Sequence, residues 1–436
     1  MALDTIIAPA TAPGSAGISV LRVSGVRSHE ICSSLCGGLA EPLVFKNCFI
    51  KKKSGDTVDR GLVVCFKGPA SYTGEDVVEI HCHGNPVIVN MIIEETLLQG
   101  ARIAEPGEFT KRAFLNDKLD LAQAESVADL IAAQSDLAVI SANASLVGEF
   151  SKKIDSCIKE ITKTRVFVEA SIDFPDEEIP EQDLSDLVSS VEAQITSVEA
   201  QIQSSKQGVM IREGVKIVIL GAPNSGKSTL LNRLAKNDLA MVSDIPGTTR
   251  DLIKTRINLE GVPVEFVDTA GIRTLTTDPL ELEGMKRARL EMADSNLTLL
   301  LSEPGGFWPE IEDQTNTLKV CNKADLVGGT IPSGSDLNIS AKTGEGIDEL
   351  IKKILLGVGF NQGAENPATS RRRHVDCLVL ALQNLEESLT LLKAGNSLEV
   401  VAELLLSVQT HLGNITNPIS SDDLLGEIFS EFCIGK

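Results

Sequence analysis

Eight residues near the middle of the chain, Gly221-Ala222-Pro223-Asn224-Ser225-Gly226-Lys227-Ser228, constrain the fold more than any other stretch. They lie between the apolar run Val215-Lys216-Ile217-Val218-Ile219-Leu220 and the helical pattern Thr229-Leu230-Leu231-Asn232-Arg233-Leu234. An apolar run of that length reads as a buried parallel strand, so the spacing predicts strand, glycine-rich loop and helix in succession. In an α/β domain this is where anions bind, because loop N–H groups and the helix N-terminus face the same point. Lys227 reaches outer phosphates and the Ser228 hydroxyl is placed to ligate Mg²⁺.

At 436 residues the chain is too long for one typical domain and suits two or three. A hydrophobic fraction of 42% with 23% charged residues is that of a soluble globular protein, which excludes disorder over most of its length. The net charge of -21 excludes non-specific adhesion to nucleic acid, so any RNA contact must be local. Nine cysteines without a regular framework, and a start at Met1-Ala2-Leu3-Asp4-Thr5 that lacks a basic or long apolar leader, predict reduced thiols in a cytoplasm. No apolar stretch reaches spanning length, so no membrane association is expected.

Residues 1–118 carry short β-like runs, Gly17–Val23, Gly61–Phe66 and Asp76–Cys82, punctuated by Gly and Pro, and one helix from Val87 to Gln99 stopped by Gly100. This reads as an α+β domain. From Leu119 to about Ser171 apolar residues recur at helical spacing, giving long helices, and Asp173–Pro180 breaks them. A further amphipathic helix is expected from Asp183 to Gln207, closed by Gly208. Strands and helices then alternate through residues 211–360, as in a doubly wound α/β domain, and helical periodicity returns over 371–436 after a polar linker. The simplest architecture is an α/β P-loop domain inserted in a helical domain with halves 119–210 and 371–436, all preceded by the α+β domain.

Four pieces in order name the nucleotide. Asp268-Thr269-Ala270-Gly271 follows the strand Val264–Val267, putting a carboxylate near the metal and a glycine N–H near the γ-phosphate. Asn322-Lys323-Ala324-Asp325 follows the strand Leu318–Cys321, and a carboxylate there accepts two hydrogen bonds from N1–H and the exocyclic amine of guanine, a donor pair adenine lacks. Ser340-Ala341-Lys342 supplies a backbone N–H for guanine O6, and Gly247-Thr248-Thr249-Arg250-Asp251 supplies a switch threonine for Mg²⁺. Asn-Lys-x-Asp alone is often a surface turn; with the phosphate loop, the set reads as a GTP site. The segment resembles the G domain of translation-factor-related GTPases, but Ile272 stands where Ras-type members carry the glutamine that orients water. Asn224 offers an oxygen near the phosphates, where a monovalent cation could replace an arginine finger; the plainer reading is a turn residue.

The flanking motifs decide among GTPase families. Leu21-Arg22-Val23-Ser24-Gly25, Ser71-Tyr72-Thr73-Gly74-Glu75-Asp76, Glu79-Ile80-His81-Cys82-His83-Gly84, Pro106-Gly107-Glu108-Phe109-Thr110, Lys118-Leu119-Asp120-Leu121 and the terminal Cys433-Ile434-Gly435-Lys436 resemble the MnmE (TrmE) family of tRNA modification GTPases over essentially the whole chain. The resemblance implies a folate-binding, aminomethyltransferase-like first domain through which homodimers form, and a heterotetramer with the FAD-dependent MnmG. It implies addition of an aminomethyl or carboxymethylaminomethyl group to the wobble uridine of certain tRNAs, with 5-formyl- or methylene-tetrahydrofolate as one-carbon source. Arg22, Glu79 and Lys118 match the folate contacts; without the motifs each would read as a structural ion pair.

For the G domain the resemblance implies K⁺ at Asn224, Ser243, Ile245 and Thr248 and Mg²⁺ at Ser228 and Thr249. The nucleotide set is Asn224, Ser225, Gly226, Lys227, Ser228 and Thr229, then Ser243, Asp244, Ile245, Pro246, Gly247, Thr248 and Thr249. Asp268, Thr269, Ala270, Gly271, Asn322, Lys323, Asp325, Ser340, Ala341 and Lys342 complete it. A glutamate orients water, Glu281 with Glu283 as rival, and G domains pair across their nucleotide faces in K⁺. Cys433 is a nucleophile candidate against the plainer reading of a buried thiol. His81 and His83 share one strand face while Cys82 points away, which favours a structural role over a metal. A ribosome-assembly switch is the alternative function, disfavoured by the acidic balance. A stand-alone folate aminomethyltransferase leaves the GTP motifs unexplained.

Overall fold

The computed structural model describes residues 4–173, 181–237, 253–268, 290–309, 316–326, 330–361, 368–395, 397–417, 428–430, 432 and 435. They divide into two compact units, one of Met1–Ala128, Leu146–Ile158 and Thr410–Lys436, the other of Asp129–Ser145 and Lys159–Gln409.

The first unit opens with β1 (Ile6–Pro9), β2 (Ala16–Ser24), α1 (Ser28–Cys36), β3 (Lys46–Lys51), β4 (Thr57–Phe66), β5 (Val77–Gly84), α2 (Pro86–Leu98) and β6 (Arg102–Ile103). The strands form one sheet in the order β3-β4-β5-β2-β1-β6, antiparallel except where β6 lies parallel to β1. Strand alternation sends Leu21, Val23, Ile50, Val63 and Ile80 to one face, where Ile31 and Leu35 of α1 and Ile92 of α2 seal a core. Arg22, Glu79 and His81 alternate onto the opposite face. Helix α2 starts as its sequence requires, with Asn85 capping Val87 N–H and Pro86 in the first turn. Next come α3 (Glu108–Leu115) and α4 (Leu121–Ala132). Arg112 of α3 bonds Asp4, Glu75 and Glu108 at once, so one buried guanidinium fixes α3 against the sheet.

The stretch from Leu119 to about Ser171, expected to form long helices, lies in three: α4, α5 (Asp136–Leu146) and α6 (Glu149–Asp173). Gly148, at φ 83, makes the turn into α6. Helix α7 (Glu181–Glu213) departs further from expectation. Gly208 does not close it; the helix runs on and ends at Gly214, whose φ is 80. Gly208 serves packing instead, since a Cβ there would overlap Ala368 O and stand 2.9 Å from Ser370 N. A mid-helix glycine was read as a stop because sequence does not reveal a distant backbone lying against it.

The second unit holds β7 (Val215–Gly221), α8 (Lys227–Asn237), β8 (Ile253–Leu259), β9 (Val262–Asp268), β10 (Leu297–Ser302), β11 (Thr317–Cys321), β12 (Leu337–Asn338) and α9 (Ile347–Gly357). Helices α10 (Arg372–Lys393) and α11 (Leu398–Thr416) follow. The sheet order is β12-β11-β10-β7-β9-β8, with only β8 antiparallel. Ile217, Ile219, Phe266, Leu299 and Val320 are all fully buried, as strands covered on both faces must be. The parallel strands end on the same edge, and the strand order reverses around β7, where open α/β sheets bind ligands.

Substituting Gly208→Ala sets two effects against each other: a helix-propensity gain of about 1 kcal/mol and overpacking against backbone that costs about 1–3 kcal/mol. Packing wins, so the variant is expected to melt at lower temperature by calorimetry; a melting temperature equal to or above the parent's would mean the 368–370 segment yields freely.

Candidate functional site

The strand β7 ends at Gly221, where a Cβ would stand 2.6 Å from both Leu301 O and Ser225 Oγ, so only glycine lets the chain turn tightly there. The turn continues through Asn224 at φ 68 and Gly226 at φ 95 before α8 begins at Lys227. These left-handed residues curl the loop into a cradle over the first turn of α8, with Ser228 and Thr229 exposed at its mouth. Lys227 Nζ donates to Gly221 O at 2.7 Å and Ala222 O at 3.2 Å, which lays the ammonium across the loop. Ser225 Oγ is buried and finds no partner among the described residues. Asp268 ends the neighbouring strand β9, opposite Ile219 of β7, and is 4% exposed.

The base-reading residues gather on the same edge. Asn322, after β11, donates from Nδ2 to Ser225 O at 2.9 Å and accepts the Ala341 N–H at Oδ1, also at 2.9 Å. One buried amide thus joins the phosphate loop to the segment 340–342. Ser340 Oγ donates to Asp325 Oδ1 at 2.6 Å, and that bond, first among the causes, lowers the Asp325 carboxyl below its ordinary range. Lys323, at φ 63, pairs with Glu303 at the end of β10. Arg233 of α8 donates from Nε to Ala341 O at 3.0 Å and from Nη2 to Lys342 O. Sequence reading missed Arg233, Glu303 and the double bond of Asn322; the first two carry no motif signal, since the register of α8 and the end of β10 only acquire meaning once folded.

On the other unit, Arg22 and Glu79 are cross-strand partners on β2 and β5, joined by bonds of 2.9 and 2.8 Å to one oxygen, Oε1. The Arg22 guanidinium lies 5.2 Å from the Tyr72 ring centroid and 5.7 Å from that of Phe109. Lys118 Nζ donates to Pro69 O at 3.0 Å, and a Cβ on Gly74 would sit 3.4 Å from Lys118 Cγ. The loop 69–74 therefore touches both cations. His83 Nδ1 pairs with Asp59 at 2.8 Å and the His81 ring meets Phe45 edge-on at 5.3 Å. Among the described residues no group of three or more His, Cys, Asp or Glu side chains is placed to hold a metal ion.

Family models match almost the whole chain, the GTP-binding protein TrmE N-terminus over residues 5–118 and the MnmE helical domain over residues 121–433. The tRNA modification GTPase MnmE of Shewanella oneidensis is 42% identical over 100% of both chains. Those of Erwinia tasmaniensis and Yersinia pseudotuberculosis are 44% identical over 99% of both. The chain belongs to the MnmE family of tRNA modification GTPases. Among solved structures, the G domain of the T. maritima FeoB iron transporter matches 33% of the chain and 98% of its own at 22% identity, with a TM-score of 0.26.

Several residues that the MnmE resemblance implies lie outside the described set: Ser243, Asp244, Ile245, Pro246, Gly247, Thr248 and Thr249, then Thr269, Ala270 and Gly271, Glu281 with its rival Glu283, and Cys433. Within it, the structure brings Asn224, Ser225, Gly226, Lys227, Ser228 and Thr229 to one sheet edge with Asp268, Asn322, Lys323, Asp325, Ser340, Ala341 and Lys342. Of the backbone N–H groups of segment 340–342, one of which is expected to face guanine O6, those of Ser340 and Ala341 are bonded to Glu345 O and Asn322 Oδ1.

Gly226→Ala tests this junction. A Cβ there would overlap Asn322 Nδ2 and force an alanine into a left-handed backbone, costing about 1–2 kcal/mol for the conformation alone. GTP affinity measured by titration calorimetry should fall at least about tenfold while far-UV circular dichroism stays that of the parent. Parental affinity would mean Asn322 moves aside without consequence.

Proposed function

We propose that the chain hydrolyses GTP in the service of tRNA modification. With an FAD-carrying partner of the MnmG type, it adds an aminomethyl or carboxymethylaminomethyl group to C5 of a wobble uridine, the one-carbon unit coming from a tetrahydrofolate derivative. The observation that carries the GTP half is the Asn322 amide, which holds a polyphosphate cradle and the Asp325 carboxylate on one strand edge. Asp325, a carboxylate at neutral pH, accepts N1–H and the exocyclic amine of guanine. Lys227 exchanges the Gly221 and Ala222 carbonyls for phosphate oxygens.

The donors fit a small hard cation: the Ser228 hydroxyl at the mouth of α8 and the carboxylate of Asp268, at the end of the strand paired with β7, are oxygen ligands of the kind Mg²⁺ takes, with Thr249 as a third. Bound Mg²⁺ supplies charge neutralisation at the β and γ phosphates. Asn224 is exposed, and its side-chain oxygen suits K⁺ shared with Ser243, Ile245 and Thr248, supplying the positive charge an arginine finger gives elsewhere. Glu281, or Glu283, orients the attacking water.

For the folate half, Glu79 spends only Oε1 on Arg22, and Oε2, 3.7 Å from His81 Nε2, suits the N–H donors of a pterin. Arg22 and Lys118 suit carboxylates. Ile18, Phe49 and Leu62 of the same sheet are 64%, 54% and 40% exposed, which supports a homodimer through this unit. Gly435 supports a chemical role for the terminal segment and Cys433: it is buried at φ 99 against Pro9 and Ala10, and Ala8 of the same strand pairs with Arg22. Residues 1–118 form the folate and dimer module, 211–360 the G domain, and 119–210 with 371–436 the helical module. Among the described residues no helix is long and apolar enough to cross a membrane.

Two measurements test the reading. Asp325→Asn should lower GTP affinity at least about a hundredfold and raise that for xanthosine triphosphate, whose base offers an oxygen where guanine has an amine. Unchanged GTP affinity would refute the base assignment. Steady-state hydrolysis should be at least about tenfold faster in K⁺ than in Na⁺; equal rates would sink the cation role of Asn224.

A further inference from the structure

The segment 340–342 is held from three directions. Asn322 takes the Ala341 N–H at 2.9 Å, Asp325 takes the Ser340 hydroxyl at 2.6 Å, and Arg233 takes the carbonyls of Ala341 and Lys342. The first two holds come from the base-reading motif itself. Arg233 alone comes from α8, the helix whose first turn forms the phosphate cradle. It is set almost two helical turns after Lys227, and its planar guanidinium presents separate N–H groups, Nε and Nη2, to two successive carbonyls in a fixed fork. Ser340 also closes a tight turn, with Thr343 N donating to Ser340 Oγ at 3.1 Å and Gly344 N to Ser340 O at 2.8 Å, so anchoring the two carbonyls anchors the whole turn.

We propose that Arg233 is a positioning residue for guanine binding: it locks the base loop to the phosphate-binding helix, so that both ends of the nucleotide meet groups fixed in one frame. This rests on the GTP reading above. Arg233 touches neither base nor phosphate in this role; it sets where the Ala341 and Lys342 backbone stands. Charge-assisted bonds to backbone are among the stronger hydrogen bonds, so removing them should be felt in affinity. The γ-phosphate chemistry sits at the other end of α8 and should be left alone.

The test uses the full chain. Arg233→Gln should weaken GTP and GDP equally, about tenfold, with turnover at saturating GTP close to the parent's. Amides of residues 340–344 should exchange with deuterium faster. Arg233→Lys, which keeps the charge but loses the rigid two-armed fork, should fall between. If the parent binds no GTP, or Asp325→Asn fails to switch base preference, the GTP reading itself is wrong. If the parent binds GTP and Arg233→Gln matches it in affinity and exchange, the positioning role is overturned. Should Arg233→Gln not fold, Arg233→Lys decides alone: parental affinity and exchange overturn the proposal, and a several-fold loss with unchanged turnover upholds it.

Discussion

The nucleotide half of this molecule depends on one buried side chain. Asn322 has a donor and an acceptor on the same amide, and it spends the donor on Ser225 O and the acceptor on Ala341 N–H. Both partners are backbone groups in loops, and buried backbone groups without partners are costly. The amide therefore sets the spacing between phosphate cradle and base loop, and Gly226 is glycine because that amide passes where a Cβ would be. Asp would lack the donor and Leu both, so the residue type follows from the junction rather than from the ligand alone.

Much of this was legible beforehand. Largely apolar runs marked β7, β9 and β11, as strands of a sheet covered on both faces tend to be, and glycine-rich or polar breaks marked where each strand met its loop. The sheet-face residues Arg22 and Glu79 were legible only as members of a motif; their pairing follows from the antiparallel register of β2 and β5, which no local pattern specifies. Gly208 was misread for the same reason. A glycine near the end of a helical pattern signals a stop by local rules, and only the approach of residues 368–370 shows that it is a packing position. Arg233 was legible as a residue of the helix and not as a strut, because its partners lie more than a hundred positions away.

The two units solve different electrostatic problems in an acidic chain. In the first, Arg112 is almost fully buried and shared by Asp4, Glu75 and Glu108, so a cation is surrounded by carboxylates. Burial works against its charge, yet bonds from Glu108 and Glu75 outweigh that and raise its pKa. Removing the guanidinium would leave three carboxylates facing one another, which is why such a cluster specifies geometry more than it adds stability. At the nucleotide site of the second, two positive groups are spent on carbonyls: Lys227 on Gly221 and Ala222, Arg233 on Ala341 and Lys342. Carbonyls are weaker partners than carboxylates. A lysine held by carbonyls can therefore turn to a phosphate at small cost, whereas one held by a carboxylate would have to break an ion pair first.

That difference divides the cations of the nucleotide site by task. Lys323 is paired with Glu303 and Arg233 with two carbonyls at once, and both hold parts of the base loop that must stay put. Lys227, lying across its own loop, is the one whose partners are easily exchanged. Affinity for the base thus draws on a frame assembled during folding, and response to the γ-phosphate draws on groups left free to move. A GTPase whose turnover is to be timed by conformational change needs that separation, since a base site that loosened with each cycle would release the nucleotide before its phosphate could be read.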